Sequence, residues 1–230
     1  MLKDPPLLTI RRDFPRPDLA RVDKLVGAQT GHMTDAMYGR GGLDAAIKPV
    51  DPKVAAFAGI ALPCESFADD NLAIVAALAF AKPGDVLIAA SDGFARTAVV
   101  GDNVTLMAKH AGVRAIVVDG MVRDLDGIEP VGLPVFARGI TPNSCVKNGP
   151  GKVGLPIVAG GVRIEPGDVV IGDRDGVVVI PQGQLDHILA HLEEIRRMEA
   201  EVQGRIKREK LVTLDSMRAL LASDKVTYVD

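Results

Sequence analysis

Two short stretches carry residue types suited to anion and metal chemistry. GDNV, residues 101–104, breaks an apolar run and opens a helix pattern. The amides of Gly101, Asp102, Asn103 and Val104 therefore carry the partial positive charge of a helix start, where a carboxylate or phosphate is welcome. The plainer alternative is that Asp102 or Asn103 caps its own helix. Arg123 and Asp124 follow 22 residues after Gly101, within VVDGMVRD at the end of a second apolar run. A guanidinium grips carboxylate or carbonyl oxygens, while an aspartate offers a hard oxygen to a divalent cation such as Mg²⁺, which takes one or two protein carboxylates and keeps several waters. Adjacent residues on an extended chain point to opposite sides, so Arg123 and Asp124 are expected to serve different partners rather than each other. Standing alone, the pair is better read as an ordinary loop ion pair of little worth.

The elements that must position these residues read as α/β. VAAFAGIAL is a strand, DNLAIVAALAFA a helix capped by Asp69 or Asp70, and KPGDVLIAAS a turn and strand. A second unit follows: GDN caps the helix VTLMAKHAG, Gly112 ends it, and VRAIVVDG is the next buried strand. In parallel α/β sheets such turns fall at the carboxyl edge where ligands bind. Helix-start amides, an arginine and a metal carboxylate can thus converge on one small anionic 2-oxo acid.

Beyond residue 129 the helical signal vanishes, and PVFARG, LPIVAGGVRI, DVVIGD and GVVVIP alternate with Gly and Pro turns as short strands. KPGDVLI recurs as EPGDVVI, a repeated Pro-Gly turn feeding a strand rather than a solenoid repeat. The first 20 residues hold four prolines and read as an extended arm leading into a helix after Pro17-Asp18. From Gln184 a long helix carries an apolar stripe of Leu185, Ile188, Leu189, Leu192, Ile195 and Val202. It lies on its own domain or contacts another subunit. The expected organisation is an arm over 1–20, an α/β domain over 21–183 and a helical extension over 184–230.

Other chemistries find no support. GPGKVG, residues 149–154, fits a glycine-rich phosphate loop but follows no buried strand and leads to no helix, so it reads as a turn. His187 and His191 are spaced to share a helix face, yet Ile188, Leu189 and Ala190 lie between them without a glutamate, and a solvated face is the better reading. Cys64 and Cys145 are far apart with no sign of activation. Lys82 sits in a polar turn and Lys109 in a helix's last turn, where a cation suits the dipole.

With a net charge of −3 there is no basic field to gather nucleic acid. LAIVAALAFA, residues 72–81, is about half of the ~20 apolar residues that span a bilayer, so neither nucleic acid nor membrane is expected as a partner. The chain is expected to be soluble and cytoplasmic, with a core of Val, Ile, Leu and Ala, because aromatics make up only 3% of it.

From DNLAIVAALAFAKPGDVLI through GDNVTLMAKHAGVRAIVVDGMVRD and GLPVFARG to PGDVVIGDRDGVVVIP, the chain resembles the RraA-like family. That family contains the class II 4-hydroxy-4-methyl-2-oxoglutarate (4-carboxy-4-hydroxy-2-oxoadipate) aldolases. The resemblance implies a swivelling β/β/α domain, assembled as a homotrimer or homohexamer with sites between subunits. It implies that Gly101, Asp102, Asn103 and Val104 line the oxo-acid site, that Arg123 binds the pyruvyl end, and that Asp124 anchors Mg²⁺ or Mn²⁺, largely through waters. Glu199 matches a glutamate that a neighbour's C-terminal helix contributes in some members. The implied reaction is metal-assisted cleavage of a C3–C4 bond to a pyruvate enolate, a metal-bound or bridging water taking the 4-hydroxyl proton, with oxaloacetate decarboxylation from the same groups. Family aldolases commonly carry Gly-Glu-Leu or Gly-Gly-Leu at this helix start, so Asp102-Asn103-Val104 makes the pocket more polar. The family also contains non-catalytic regulators that bind ribonuclease E or its helicases, which is the alternative implied function.

Overall fold

Phe57–Ser66, ten residues long and buried at all but one position, is the strand around which the first part of the molecule is built. The structure is a computed structural model that describes residues 5–229. The first four residues of the expected arm and Asp230 of the expected extension lie outside the described residues. Parallel strands Phe57–Ser66, Asp85–Ala90, Ala115–Asp119 and Val135–Ala137 lie side by side in that order. Asp85–Ala90 and Ala115–Asp119 are buried throughout, as expected of near-continuous apolar runs covered on both faces.

One face of the sheet, with Leu62, Leu87, Ile116 and Val118, packs against Ala73, Ile74 and Ala77 of helix Leu72–Leu78 and against Val104 and Ala108 of helix Asp102–His110. The other face, with Ile88, Val117 and Phe136, packs on β-structure through Ile157, Ile164 and Val170. Phe57 meets Phe136 edge to face, ring centroids 5.4 Å apart. The result is an α/β arrangement with helices on one side and strands on the other.

The recurrent Pro-Gly-Asp turns lie on the two sides of the same strand. Asp85 pairs in parallel with Ile60, and Val169 pairs with Ile60 antiparallel from the opposite edge. Each turn is closed identically: Asp85 Oδ2 accepts from the Lys82 amide and Asp168 Oδ2 from the Glu165 amide, both at 2.9 Å. Burial pushes the Asp168 carboxyl above its ordinary pKa, against the amides of Glu165 and Gln182 that lower it.

Two expectations are corrected. GPGKVG is not merely a turn: Gly151–Val153 is a strand of the main sheet, held between Leu8–Ile10 and residues 64–66. Its pairing is non-local, so its own spacing gave no sign of it. The helix expected over DNLAIVAALAFA is shorter, Leu72–Leu78, with Asn71 at its cap position and Asp70 Oδ1 accepting from the Leu72 amide at 2.8 Å. Within the arm, Leu8–Ile10 joins the sheet edge.

By its contacts the chain divides into a unit ending at Leu189 and a second from Ala190 onward. Helix Leu185–Glu209 begins in the first, where Leu185 and Ile188 are buried, and continues into the second. There the stripe reaches the surface at Met198, Val202 and Ile206. The second unit also holds helix Asp215–Leu221, whose Asp215 pairs with Arg205 at 2.8 Å. No helix among the described residues is long and apolar enough to cross a membrane.

Candidate functional site

The turn VVDGMVRD does not end a single strand. Ala115–Asp119 belongs to the main sheet, and after Gly120 the chain starts a new strand, Met121–Val122, in a separate three-stranded parallel sheet with Ala98–Val100 and Gly139–Ile140. Within that small sheet Val100 pairs with Val122. The register therefore sets Gly101 beside Arg123, and the Arg123 amide donates to the Val100 carbonyl at 3.0 Å. The 22-residue spacing is the length of one helix and one strand that return the chain to its own neighbour.

Gly101 occupies the cap position of helix Asp102–His110 without a side-chain cap. Asp102 Oδ1 instead accepts from the Asn103 amide at 2.6 Å and from Asn103 Nδ2 at 3.1 Å. Asp102 and Val104 lie in the same first turn, whose amides have no intrahelical acceptor. The absence of a side chain at Gly101 lets Asp124 and Arg123 approach its backbone closely, because a Cβ there would come within 2.5 Å of Asp124 Oδ2 and 3.4 Å of Arg123 Cγ. Gly127 does the same for Asp102, whose Cβ would stand 2.6 Å from an added Cβ.

Arg123 and Asp124 do not point apart. Arg123 Nε lies 3.1 Å from Asp124 Oδ2, and both side chains are partly exposed. The reason is backbone conformation: Asp124 has φ 62° and ψ 47°, left-handed rather than extended, which turns its carboxylate back toward its neighbour. Arg123 also donates through Nη1 to Ser144 Oγ.

A cavity of about 310 Å³ opens at this point. Gly101, Asp102, Asn103, Val104, Arg123 and Asp124 all line it, and so do Asn71, Ser144, Cys145 and Lys147. These last four carry no local motif. Asn143, Ser144, Cys145 and Val146 form a wall drawn in by distant partners: the Ala98 amide donates to the Asn143 carbonyl at 2.9 Å, and the Asn71 amide to the Val146 carbonyl at 3.1 Å. Asp70, 2% exposed, anchors the wall's far end by accepting from the Asn148 and Gly149 amides. Asn71 Nδ2 donates to the Val99 carbonyl at 3.0 Å, tying the strand that leads into Gly101. Only the Asp69-Asp70-Asn71 cluster before an apolar helix was a usable sequence signal, and it read as a cap.

Two carboxylates, Asp102 and Asp124, border the cavity. Among the described residues no group of three or more His, Cys, Asp or Glu is arranged to hold a metal. That donor set does not suit Zn²⁺, which takes three or four protein ligands, and does suit a hard ion that keeps most of its waters, as Mg²⁺ does. The cavity of about 310 Å³ that Asp124 lines has room for such a hydrated ion.

The remaining candidates fall elsewhere. His187 lines a separate groove of about 680 Å³ with Tyr38, Arg40 and Arg163. Glu199 is exposed on helix Leu185–Glu209, in the second unit. Both cysteines are free, and burial raises the pKa of each thiol, which leaves Cys145 unactivated inside the cavity. Lys109 donates to the Val131 carbonyl, a structural role.

The chain matches a model of RraA-like, Aldolase/RraA proteins over residues 30–179. It is 37% identical, over 75% of its own length and 80% of the relative's, to a Halalkalibacterium halodurans protein provisionally named as a 4-hydroxy-4-methyl-2-oxoglutarate aldolase. It is 33% identical to a Thermus thermophilus protein named 4-hydroxy-4-methyl-2-oxoglutarate aldolase, over 50% of this chain and 70% of that one. Among solved structures it resembles Streptomyces coelicolor RraAS2, described as an unusual member of the RNase ES inhibitor RraA family, with a TM-score of 0.75 and 28% identity over 83% of this chain and all of that one. The matched residues contain the helix start, the Arg-Asp turn and the small sheet that aligns them, and the chain belongs to the RraA-like family.

Proposed function

We propose that this protein is a divalent-metal-dependent aldolase that cleaves 4-hydroxy-4-methyl-2-oxoglutarate-type 2-oxo acids to pyruvate and a second 2-oxo acid, and that it also decarboxylates oxaloacetate. The observation that carries the reading is the joint presence of the helix start, Arg123 and Asp124 around one small cavity. The aldolase names of two relatives support the reaction class.

The chain's own groups divide the work. The start of the Asp102–His110 helix, with its first-turn amides and the positive end of its dipole, binds the 2-oxo acid carboxylate. Arg123 lines the cavity, and its guanidinium is placed to reach the oxygen of the 2-oxo group. As the 4-hydroxyl gives its proton to a water in the cavity and C4 becomes a carbonyl, the C3–C4 bond breaks, its electron pair passes to the pyruvyl half, and Arg123 stabilises the charge gathering on that oxygen. Asp124 would hold Mg²⁺ or Mn²⁺ together with waters, and the bound ion would supply Lewis acidity toward the 2-oxo group. Asp102 adds a second negative charge at the rim, which favours a cation in the cavity. Oxaloacetate places a carboxylate at the bond that breaks, so the same groups stabilise the enolate left when CO₂ departs.

The test is pyruvate release from 4-hydroxy-4-methyl-2-oxoglutarate and from oxaloacetate, with Mg²⁺ or Mn²⁺ and with EDTA. Release that EDTA abolishes and metal restores is expected. No release with metal present sinks the reading and turns attention to the regulator alternative, which the likeness to RraAS2 favours and which binding to ribonuclease E would reveal. Sedimentation distinguishes the homotrimer from the homohexamer that this reading includes.

A further inference from the structure

We propose that Ser144 is a positioning residue that fixes the plane of the Arg123 guanidinium in the cavity. This rests on the function proposed above. A guanidinium is rigid and planar, so two anchored nitrogens define its orientation. Here the anchors are Asp124 at Nε, 3.1 Å away, and Ser144 Oγ at Nη1.

The two anchors differ in kind. Asp124 also lines the cavity, which has room for a cation, and a cation there would draw on the same carboxylate. Ser144 Oγ is neutral and does not compete. Its contact therefore holds Arg123 in place when the carboxylate is shared. Ser144 itself is exposed, but its backbone is not free to drift: it bridges in parallel to Ala98, and the flanking Asn143 is tied through Nδ2 to the Arg96 carbonyl at 3.0 Å. On the other side, Val146 is bridged to Asp70, and the Val146 amide donates to the Asp69 carbonyl at 2.8 Å. A hydroxyl presented from a doubly tied segment suits orientation of a long side chain, because the serine pays little of the ordering entropy.

The experiment compares wild type with Ser144→Ala and Ser144→Thr. Pyruvate release is measured with Mg²⁺, oxalate affinity by calorimetry with and without Mg²⁺, and melting temperature as a check on folding. Ser144→Ala is expected to lower kcat about 10-fold with KM changed less than about 3-fold, since a hydrogen bond to a charged group is lost chiefly where charge develops. Oxalate affinity is expected to fall by about the same factor at an unchanged melting temperature. Ser144→Thr, which keeps the hydroxyl, is expected to return both to within about 3-fold of wild type. Equal kcat and oxalate affinity in wild type and Ser144→Ala overturn the proposal, as does an equal loss in the alanine and threonine variants. A wild type that releases no pyruvate refutes the proposed function instead, and the positioning role is then decided by oxalate affinity alone.

Discussion

Gly101 and Asp124 are so close that a methyl group on the glycine would stand 2.5 Å from the carboxylate oxygen Oδ2. Real Cβ atoms do not come that near, so Gly101→Ala must displace either the carboxylate or the helix start. Gly101 is extended at φ −135°, and alanine meets no backbone penalty there. The expected outcome is a loss of pyruvate release of about 100-fold or more, as misplacement of about 1 Å at a site produces. Circular dichroism and melting should report an intact fold.

Asp124 combines a charge with a left-handed backbone, and two variants separate them. Asn tolerates φ 62° nearly as well as Asp, so Asp124→Asn should keep stability while isothermal titration shows Mg²⁺ affinity lost. Asp124→Ala should lose affinity equally and in addition cost about 1–2 kcal/mol of stability, seen by urea unfolding. Unchanged Mg²⁺ affinity in Asp124→Asn would rule the residue out as the metal anchor.

Asp70 supports the cavity without lining it. Its buried carboxylate accepts from the amides of Leu72, Asn148 and Gly149, so removal orphans donors in three places at once. Asp70→Ala is expected to destabilise by about 3 kcal/mol, given about 1–3 kcal/mol for each buried group left unsatisfied and some relief from water. The residual folded protein should show faster hydrogen exchange over 143–149 than over the central strands.

Asp44 offers a pH test away from the site. The Ala46 amide and the Arg138 guanidinium, which also pairs with Asp119, hold its carboxyl below the usual range. A depressed folded-state pKa means the contribution is full above the unfolded value of roughly 4 and is lost as pH falls through the folded value. Melting temperatures of wild type and Asp44→Asn should differ at neutral pH and converge in acid below that range. A gap that persists or widens in acid would contradict the assignment.

Much of this site was legible in the chain. The helix start at Gly101 and the Arg-Asp pair were recognisable because each is a local signal: an apolar run, a turn, then a capping pattern or a charge. Helix Leu185–Glu209 was legible for the same reason, its apolar period being carried by consecutive turns. Ser144, Cys145 and Lys147 were not legible, since their segment has no periodicity and is placed by Ala98, Asp70 and Asn71 from far along the sequence. The strand Gly151–Val153 was hidden in the same way, its neighbours being residues 8–10 and 64–66.

The sequence by itself determined the α/β character, the turn chemistry and the identity of several groups that line the cavity, because hydrophobic period and residue type are properties of short windows. Tertiary structure alone decided how those groups face one another. The left-handed φ of Asp124 turned an expected pair of opposed side chains into one coupled unit, and the register of Val100 with Val122 set Gly101 beside it. A single backbone dihedral and a strand register are outcomes of packing across the whole domain, and residue spacing does not encode them.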